Sequence, residues 1–521
     1  MTEYESWTKE ALIERLRALE GTKSQQNAPR KSPEQSTADG AASDSEAAAP
    51  KRKKRRGTDF DFSRFPQRKV AFKFSYFGWP YHGLARQGNA LGDEEKRKIE
   101  TEYPTVEGEL FRALSNCKLI TSEAECGYSR CGRTDRGVSG FGQVIALYVR
   151  STGRYLDDGD VCPEGGVVTE DMQNDGRRVL LPTAEKELPY VSMLNKSLPP
   201  EIRILAWSPV SADFDARFSC RSRFYRYFFN EEGLDVARMR EAAQQYQGTH
   251  DFRNFCRLDP AKQISNFERT VLSIDITRVP QSVPFVGDGQ AAEGRWWQLE
   301  LRGTAFLWHQ VRCMMSVLFM VGQGIESPDI ISKLLDVKSM GGKPEYEMAS
   351  DTPLVLADCT FDEGAVSWIH VRGGSRDYGN MTVLDRSLLS QWSRLATQTN
   401  IAAALLQNLR ATKVPAPALE KEQSGSKENS GESRPQVPVE VDSMVLWSEC
   451  RGGLLQNEFP EGTHAILGGG VVRNVRKYVP MMKRKRAEPV EVRNKAWLER
   501  KKAGKFGRDG AEATATAIAE N

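Results

Sequence analysis

A chain of 521 residues is too long for one small domain and long enough for a large core with tails. With 39% hydrophobic and 27% charged residues it is neither a membrane protein nor a wholly disordered one, and a net charge of +3 is too small to predict nucleic-acid binding by itself. Nine cysteines without a C-x-x-C pair and five histidines without ligand spacing predict reduced thiols rather than a zinc or disulfide framework, and the absence of a long apolar run or signal-peptide layout predicts a soluble, intracellular protein.

Leu12, Ile13, Leu16 and Leu19 recur at helical spacing, which predicts a short amphipathic helix over residues 1–20, too short to be stable without a partner. Residues 21–66 are rich in Ser, Ala, Gln, Gly and Pro and read as a disordered linker. Its run Lys51-Arg52-Lys53-Lys54-Arg55-Arg56 suits a nuclear-import signal, an RNA-grasping arm or a solvated charge run. From Lys69 the residues Val70, Phe72, Phe74 and Tyr76 alternate with Lys69, Ala71, Lys73 and Ser75, a period-two strand broken by Gly78-Trp79-Pro80. Val106, Leu110, Ala113, Leu114 and Cys117 mark a helix.

The stretch Cys131-Gly132-Arg133-Thr134-Asp135-Arg136-Gly137-Val138-Ser139 sets one carboxylate between two arginines with glycines outside them. Glycine permits turn conformations and close approach of another molecule, and flanking cations favour an ionised carboxylate. Such a group can serve as nucleophile or base, with the arginines beside a phosphate chain; the local pattern equally fits a surface turn with ion pairs.

Gln143 to Val149 is nearly continuously apolar, as in the middle of a covered sheet. Residues 151–186 are rich in Gly and Asp and read as a surface insertion, with structure resuming at Pro189. Arg223-Phe224-Tyr225-Arg226-Tyr227-Phe228-Phe229 reads as a strand with Tyr225 and Tyr227 on one face and Phe224 and Phe228 on the other. Val236, Met239, Ala243 and Tyr246 mark a helix, Leu272, Ile274 and Ile276 a strand, Trp296–Arg302 another strand, Leu307–Val321 a helix, and Leu354-Val355-Leu356-Ala357 an apolar strand. Residues 413–440 are a linker, and 441–521 a basic, partly disordered extension containing Arg476–Arg486.

Several stretches carry a resemblance. Cys131–Ser139 with the following Gly140-Phe141-Gly142-Gln143-Val144 resembles the GRTD-x-GV signature of the TruA-type pseudouridine synthases. Arg223–Phe229 resembles that family's Y-R-Y strand, and Gly303–Arg312 its arginine-bearing helix entry. Pro344–Ala349 and Asp251–Asp259 resemble one branch, the eukaryotic enzymes of tRNA positions 38 and 39, as does the segment near 476–493; the strand at Lys69 and Arg86-Gln87-Gly88-Asn89 resemble the opening of the fold. The resemblance covers roughly residues 67–412 and implies an α+β fold: two similar α/β halves, 67–220 and 221–412, sharing a central mixed, mostly antiparallel sheet with the active-site cleft between them. It further implies conversion of uridine to pseudouridine in the tRNA anticodon stem-loop, without metal or organic cofactor, by a homodimer; the cysteine usage and the Lys51–Arg56 run predict a place in nucleus and cytoplasm. By the same resemblance Asp135 is the catalytic carboxylate, Tyr225 the active-site tyrosine, Arg312 the partner of Asp135, and Arg133 the residue that stabilises the flipped nucleotide. The alternative from another class is a non-catalytic RNA-binding or tRNA-folding chaperone on the same scaffold.

Overall fold

The computed structural model describes residues 60–86, 101–157, 160, 167–171, 176–279, 296–370, 378–411, 463–475 and 477–502. The helix expected over 1–20, the basic run 51–56, the Arg86–Asn89 stretch beyond Arg86, the linker 413–440 and the last nineteen residues lie outside them.

Alternation builds the first half. Strand β1 (Gln67–Tyr76) directs Val70, Phe72, Phe74 and Tyr76 into one core, while Ala71 enters a second on the opposite face. Both sheet faces are therefore covered here, and Lys73 on the Ala71 face is partly buried with its charge paired to Asp358 at 2.8 Å. The first core is closed by helix α1 (Val106–Asn116), capped by the Thr105 side chain, together with the short β2 (Ser129–Arg130), β3 (Ser139–Arg150), α2 (Tyr190–Ser197) and β7 (Ile202–Pro209). Between them β4 (Arg154–Tyr155), β5 (Val167–Asp171) and β6 (Arg177–Leu181) form a small antiparallel sheet. The Gly- and Asp-rich insertion thus contains strands, seated through buried Val179 and through the Asp171 carboxylate, which accepts from Gln67 N–H at 3.0 Å.

The second half repeats the scheme with β8 (Cys220–Asn230), α3 (Val236–Ala243), β9 (Gly248–Asp251), β10 (Glu268–Arg278), β11 (Trp296–Gly303), α4 (Gln310–Gly322), α5 (Ile330–Leu335) and β12 (Leu354–Phe361). Helix α4 is apolar almost all round and is buried along nearly its whole length under this part of the sheet. Along β10 the expected alternation slips: a bulge between Val271 and Ser273 buries Val271 and leaves Leu272 exposed, while Ile274 and Ile276 point inward as expected.

The ten-stranded sheet runs β13-β7-β1-β3-β12-β8-β11-β10-β9, where β13 is Ile369–His370 and β2 lies beside β3. Every described pairing in it is antiparallel except β3 with β12, which run parallel at Val355–Ser139 and Leu356–Gly140. That pair is the seam between the halves. Glycine makes it possible, because a Cβ on Gly142 would stand 2.7 Å from the Ala357 carbonyl oxygen.

Two features depart from the sequence reading at the ends. Residues 60–66, assigned above to the linker, are packed: Phe60 stacks on Phe65 at 5.3 Å, and the Arg150 guanidinium lies over both rings. The Arg476–Arg486 region is not a loose tail where it is described. Tyr478 and Met481 are buried, Glu326 accepts from both the Tyr478 hydroxyl and the Met481 N–H, and Ala487 N–H donates to the Lys343 carbonyl at 2.8 Å. The hairpin β14 (Thr463–Gly468) and β15 (Val471–Val475) and helix α7 (Val490–Lys502) flank that segment, and the long helix α6 (Tyr378–Ala411) precedes them. No helix among the described residues is long and apolar enough to cross a membrane.

Candidate active site

The loop between β2 and β3 carries Asp135 to the seam, and it is held from both sides. Leu84 N–H donates to the Thr134 carbonyl at 3.1 Å, the Thr134 hydroxyl shares a 2.8 Å hydrogen bond with Tyr76, and Val138 N–H closes a turn onto the Asp135 carbonyl. From the second half, Arg223 donates to the Cys131 carbonyl at 2.9 Å. Gly137 takes φ +77° with the Asp351 carboxylate about where a Cβ would need space, so this position requires glycine. Gly132 faces open space.

Asp135 itself is half-buried, with 27% of its side chain exposed. Three residues of the Gly303–Arg312 stretch surround it. Trp308 donates its indole N–H to the carboxylate, His309 brings Nε2 to 3.4 Å from Oδ2, and Arg312 supplies the largest opposing charge. His309 is the residue before α4 and sits at φ +60°, a left-handed conformation that costs a side chain about 1 kcal/mol or more. This conformation turns its ring off the helix toward Asp135. Burial, with Arg312 and Arg257 nearby, lowers the His309 pKa to about 3, so the imidazole is neutral and its 3.4 Å contact with Asp135 is not an ion pair.

The flanking arginines do not govern this carboxylate. Arg133 and Arg136 are exposed, and burial wins over all nearby cations, pushing Asp135 up to about 6. Arg312, the Trp308 hydrogen bond and Lys262 pull it back, whereas Asp351 adds to the rise. Arg312 is anchored by donating from Nε to the Ala349 carbonyl at 2.8 Å, and its salt bridge is to Asp351 at 3.8 Å; its hold on Asp135 acts through the field, at longer range than a direct pair.

Tyr225 lies in the centre of β8, opposite Leu301 of β11 and Leu356 of β12. Its ring meets Phe306 edge-on at 5.0 Å, so the single turn 304–309 touches both Tyr225 and Asp135. Burial holds the phenol well above its ordinary pKa and therefore protonated. Arg133 stands at the exposed edge of the same loop. The structure thus brings Asp135, Tyr225 and Arg312 to one seam, with Arg133 at its rim.

Sequence reasoning assigned no role to Trp308, His309, Lys262 or Asp351. Trp308 and His309 were within reach, being four and three residues before Arg312 in the same motif. Lys262 ends a short 3-10 turn, Pro260–Lys262, and Asp351 lies in the loop before β12; neither carries a local signal of a role at the site. Beside Trp308, Arg257 and Lys262 each place their charge 4.9 Å from the indole ring, and a shallow cavity of about 270 Å³ lined by Arg257, Lys343 and Arg493 continues the positive surface. Aromatic rings interleaved with cations suit a stacked base and its phosphates.

A mixed sheet in two halves, with the desolvated Asp135 carboxylate at their seam, a half-buried tyrosine on the neighbouring strand and a basic aromatic surface beside it, fits an α+β enzyme acting on nucleic acid. Comparison with known proteins sharpens this class. The family model described as tRNA pseudouridine synthase matches residues 242–362. The human tRNA pseudouridine(38/39) synthase is 37% identical over 450 residues, 85% of this chain and 79% of that protein. The Saccharomyces cerevisiae tRNA pseudouridine(38/39) synthase is 41% identical over 367 residues, 69% of this chain and 72% of its own. The tRNA pseudouridine synthase A of Methanosarcina mazei is 30% identical over 58% of this chain and 87% of its own. The chain belongs to the tRNA pseudouridine synthases, an isomerase family.

Proposed function

We propose that this protein converts uridine to pseudouridine at positions 38 and 39 of the tRNA anticodon stem-loop, with Asp135 as the catalytic group. The reading rests on relatives named for those two positions that match 69–85% of the chain, taken together with one carboxylate desolvated at the seam. Isomerisation breaks the bond from ribose C1′ to N1 of uracil and makes one from C1′ to C5, so the C5 proton is lost and N1 gains one. A carboxylate must start it, by adding to the nucleotide or by taking a ribose proton, and only the ionised form can do either. With a pKa of about 6, Asp135 is mostly ionised at neutral pH yet poorly solvated, which makes it more reactive than a carboxylate in water.

A stem nucleotide must leave its stack to reach this seam. Arg133, exposed on the Asp135 loop, is the side chain we assign to the gap it leaves. Tyr225 with Phe306 forms the aromatic wall against the detached uracil. Because its phenol is firmly protonated, Tyr225 enters the reaction holding its proton; its service at C5 requires a substrate that lowers that pKa. The Arg257–Trp308–Lys262 surface takes the neighbouring strand. We further propose a homodimer, with tRNA bound across both subunits, present in nucleus and cytoplasm.

The deciding experiment incubates purified protein with a tRNA transcript carrying uridine at 38 and 39 and maps pseudouridine. Product at those positions with wild type and none with Asp135→Asn, at tRNA affinity within a few-fold, supports the reading. Inactive wild type that binds tRNA tightly would return the non-catalytic alternative, which no present observation favours. Sedimentation of the free protein tests the dimer.

A further inference from the structure

Cys131, Cys220 and Cys359 are separated by 89 and 139 positions in sequence, yet their Sγ atoms lie within 4.8 Å of one another. All three are buried, at 1%, 7% and 5% exposure. One comes from the loop leading to Asp135, one from the start of β8 and one from β12. The group therefore sits at the junction of the catalytic loop with the two strands of the second half that border the seam.

We propose that Cys131, Cys220 and Cys359 form a three-thiolate site for one thiophilic metal ion, cuprous copper or zinc. Soft ions of this class bind thiolate sulfur at about 2.3 Å, which sets the sulfurs of a shared ion roughly 4 Å apart, a spacing this group reaches by small side-chain rotations. Binding displaces the thiol protons to water.

Charge supports the assignment. Three thiolates around a monovalent or divalent ion leave a net negative group, and the partly buried Arg223 guanidinium lies in the field of all three sulfurs while donating to the Cys131 carbonyl at 2.9 Å. Among the described residues no further His, Cys, Asp or Glu joins the group, a donor number that suits three-coordinate copper directly and leaves zinc one position to fill from water. An ion here would pin the Asp135 loop to β8 and β12 without touching substrate. The competing account is three small apolar side chains filling core space.

The test uses the full-length chain, reduced, stripped of metal by chelation and kept anaerobic, then titrated separately with Cd²⁺ as the zinc probe and with Cu⁺. Bound metal per chain and the sulfur-to-metal charge-transfer absorbance are read together. One ion per chain is expected, with Cys220→Ser and Cys359→Ser each weakening it at least tenfold and Cys117→Ser, a thiol outside the group, leaving it unchanged. Tighter cuprous binding assigns copper and tighter cadmium binding assigns zinc. Wild-type protein that takes up neither ion while its thiols titrate as free overturns the site, as does equal binding by wild type and Cys359→Ser. Should either variant fail to fold, the wild-type titration alone decides between a metal site and three packed thiols.

Discussion

At Asp135 two effects oppose each other. Removal from water favours the protonated carboxyl, the fields of Arg312 and Lys262 and the Trp308 hydrogen bond favour the ionised one, and the balance falls at about 6. Because only the carboxylate can act, kcat/KM should fall on the acid side with a midpoint near pH 6. Arg312 lowers this pKa, so Arg312→Leu should move that midpoint upward and reduce turnover at neutral pH, and Arg312→Lys should restore part of both. An unmoved midpoint in an Arg312→Leu enzyme that has merely lost tRNA affinity would reassign the arginine to phosphate binding. The same shift makes a stability prediction. The folded state holds this proton more tightly than the unfolded chain, so ionised Asp135 weakens the fold above about pH 6, and the penalty vanishes below about pH 4, where both states are protonated. Asp135→Asn should therefore lose activity by at least about a thousandfold yet gain about 1–3 kcal/mol of unfolding free energy at pH 8, with no gain at about pH 3.5, measured by urea unfolding.

At the scale of elements, the Asp135 loop depends on a backbone that only glycine takes without strain. Gly137→Ala meets both a positive φ and the Asp351 carboxylate at 3.0 Å, and should cost about 1–2 kcal/mol and lower kcat more than tRNA affinity, because the loop carries the reacting group. A fall in affinity alone would place the loop's main duty in binding. The docked C-terminal segment is testable in the same way. Tyr478→Phe removes a buried donor from Glu326 and should cost about 1–2 kcal/mol in urea unfolding, an effect absent if the segment lay loose. Both elements show the limit of local patterning. The β1 alternation from Val70 to Tyr76 was readable because each apolar side chain meets the same core, whereas Leu272 was misplaced because a bulge shifts the period by one residue.

For the whole molecule, the parallel pair β3–β12 joins the halves at the point where the Asp135 loop emerges, so chemistry and inter-half packing share one line of contacts. The basic surface beside Trp308 predicts tRNA affinity that falls steeply with salt, while kcat at saturating tRNA changes little; a flat salt dependence would remove phosphate contact from that surface. The run Lys51–Arg56 precedes Phe60, the first described residue, and we propose that it serves nuclear entry. Deleting residues 1–59 should move the protein toward the cytoplasm in cell imaging and leave turnover of the purified enzyme nearly unchanged. A large loss of turnover at physiological salt would make the run an RNA arm.

By itself the sequence determined the α+β class and most of the strands and helices, since periodicity is a property of neighbours along the chain, and it offered Asp135, Tyr225, Arg312 and Arg133 as candidates through the family resemblance of its motifs. It also led to the family, through several short stretches rather than through composition. Only the tertiary structure decided how the candidate carboxylate is tuned: Arg133 and Arg136, adjacent in sequence, stand exposed, and Trp308, His309, Lys262 and Arg312 set its surroundings. It alone showed strands in the 151–186 insertion, the docked segment at Tyr478 and the convergence of Cys131, Cys220 and Cys359. The physical reason is common to these cases. Desolvation and charge act through space over a few ångströms, and sheet pairing brings residues that are far apart in the chain to that distance without leaving a mark on the local sequence.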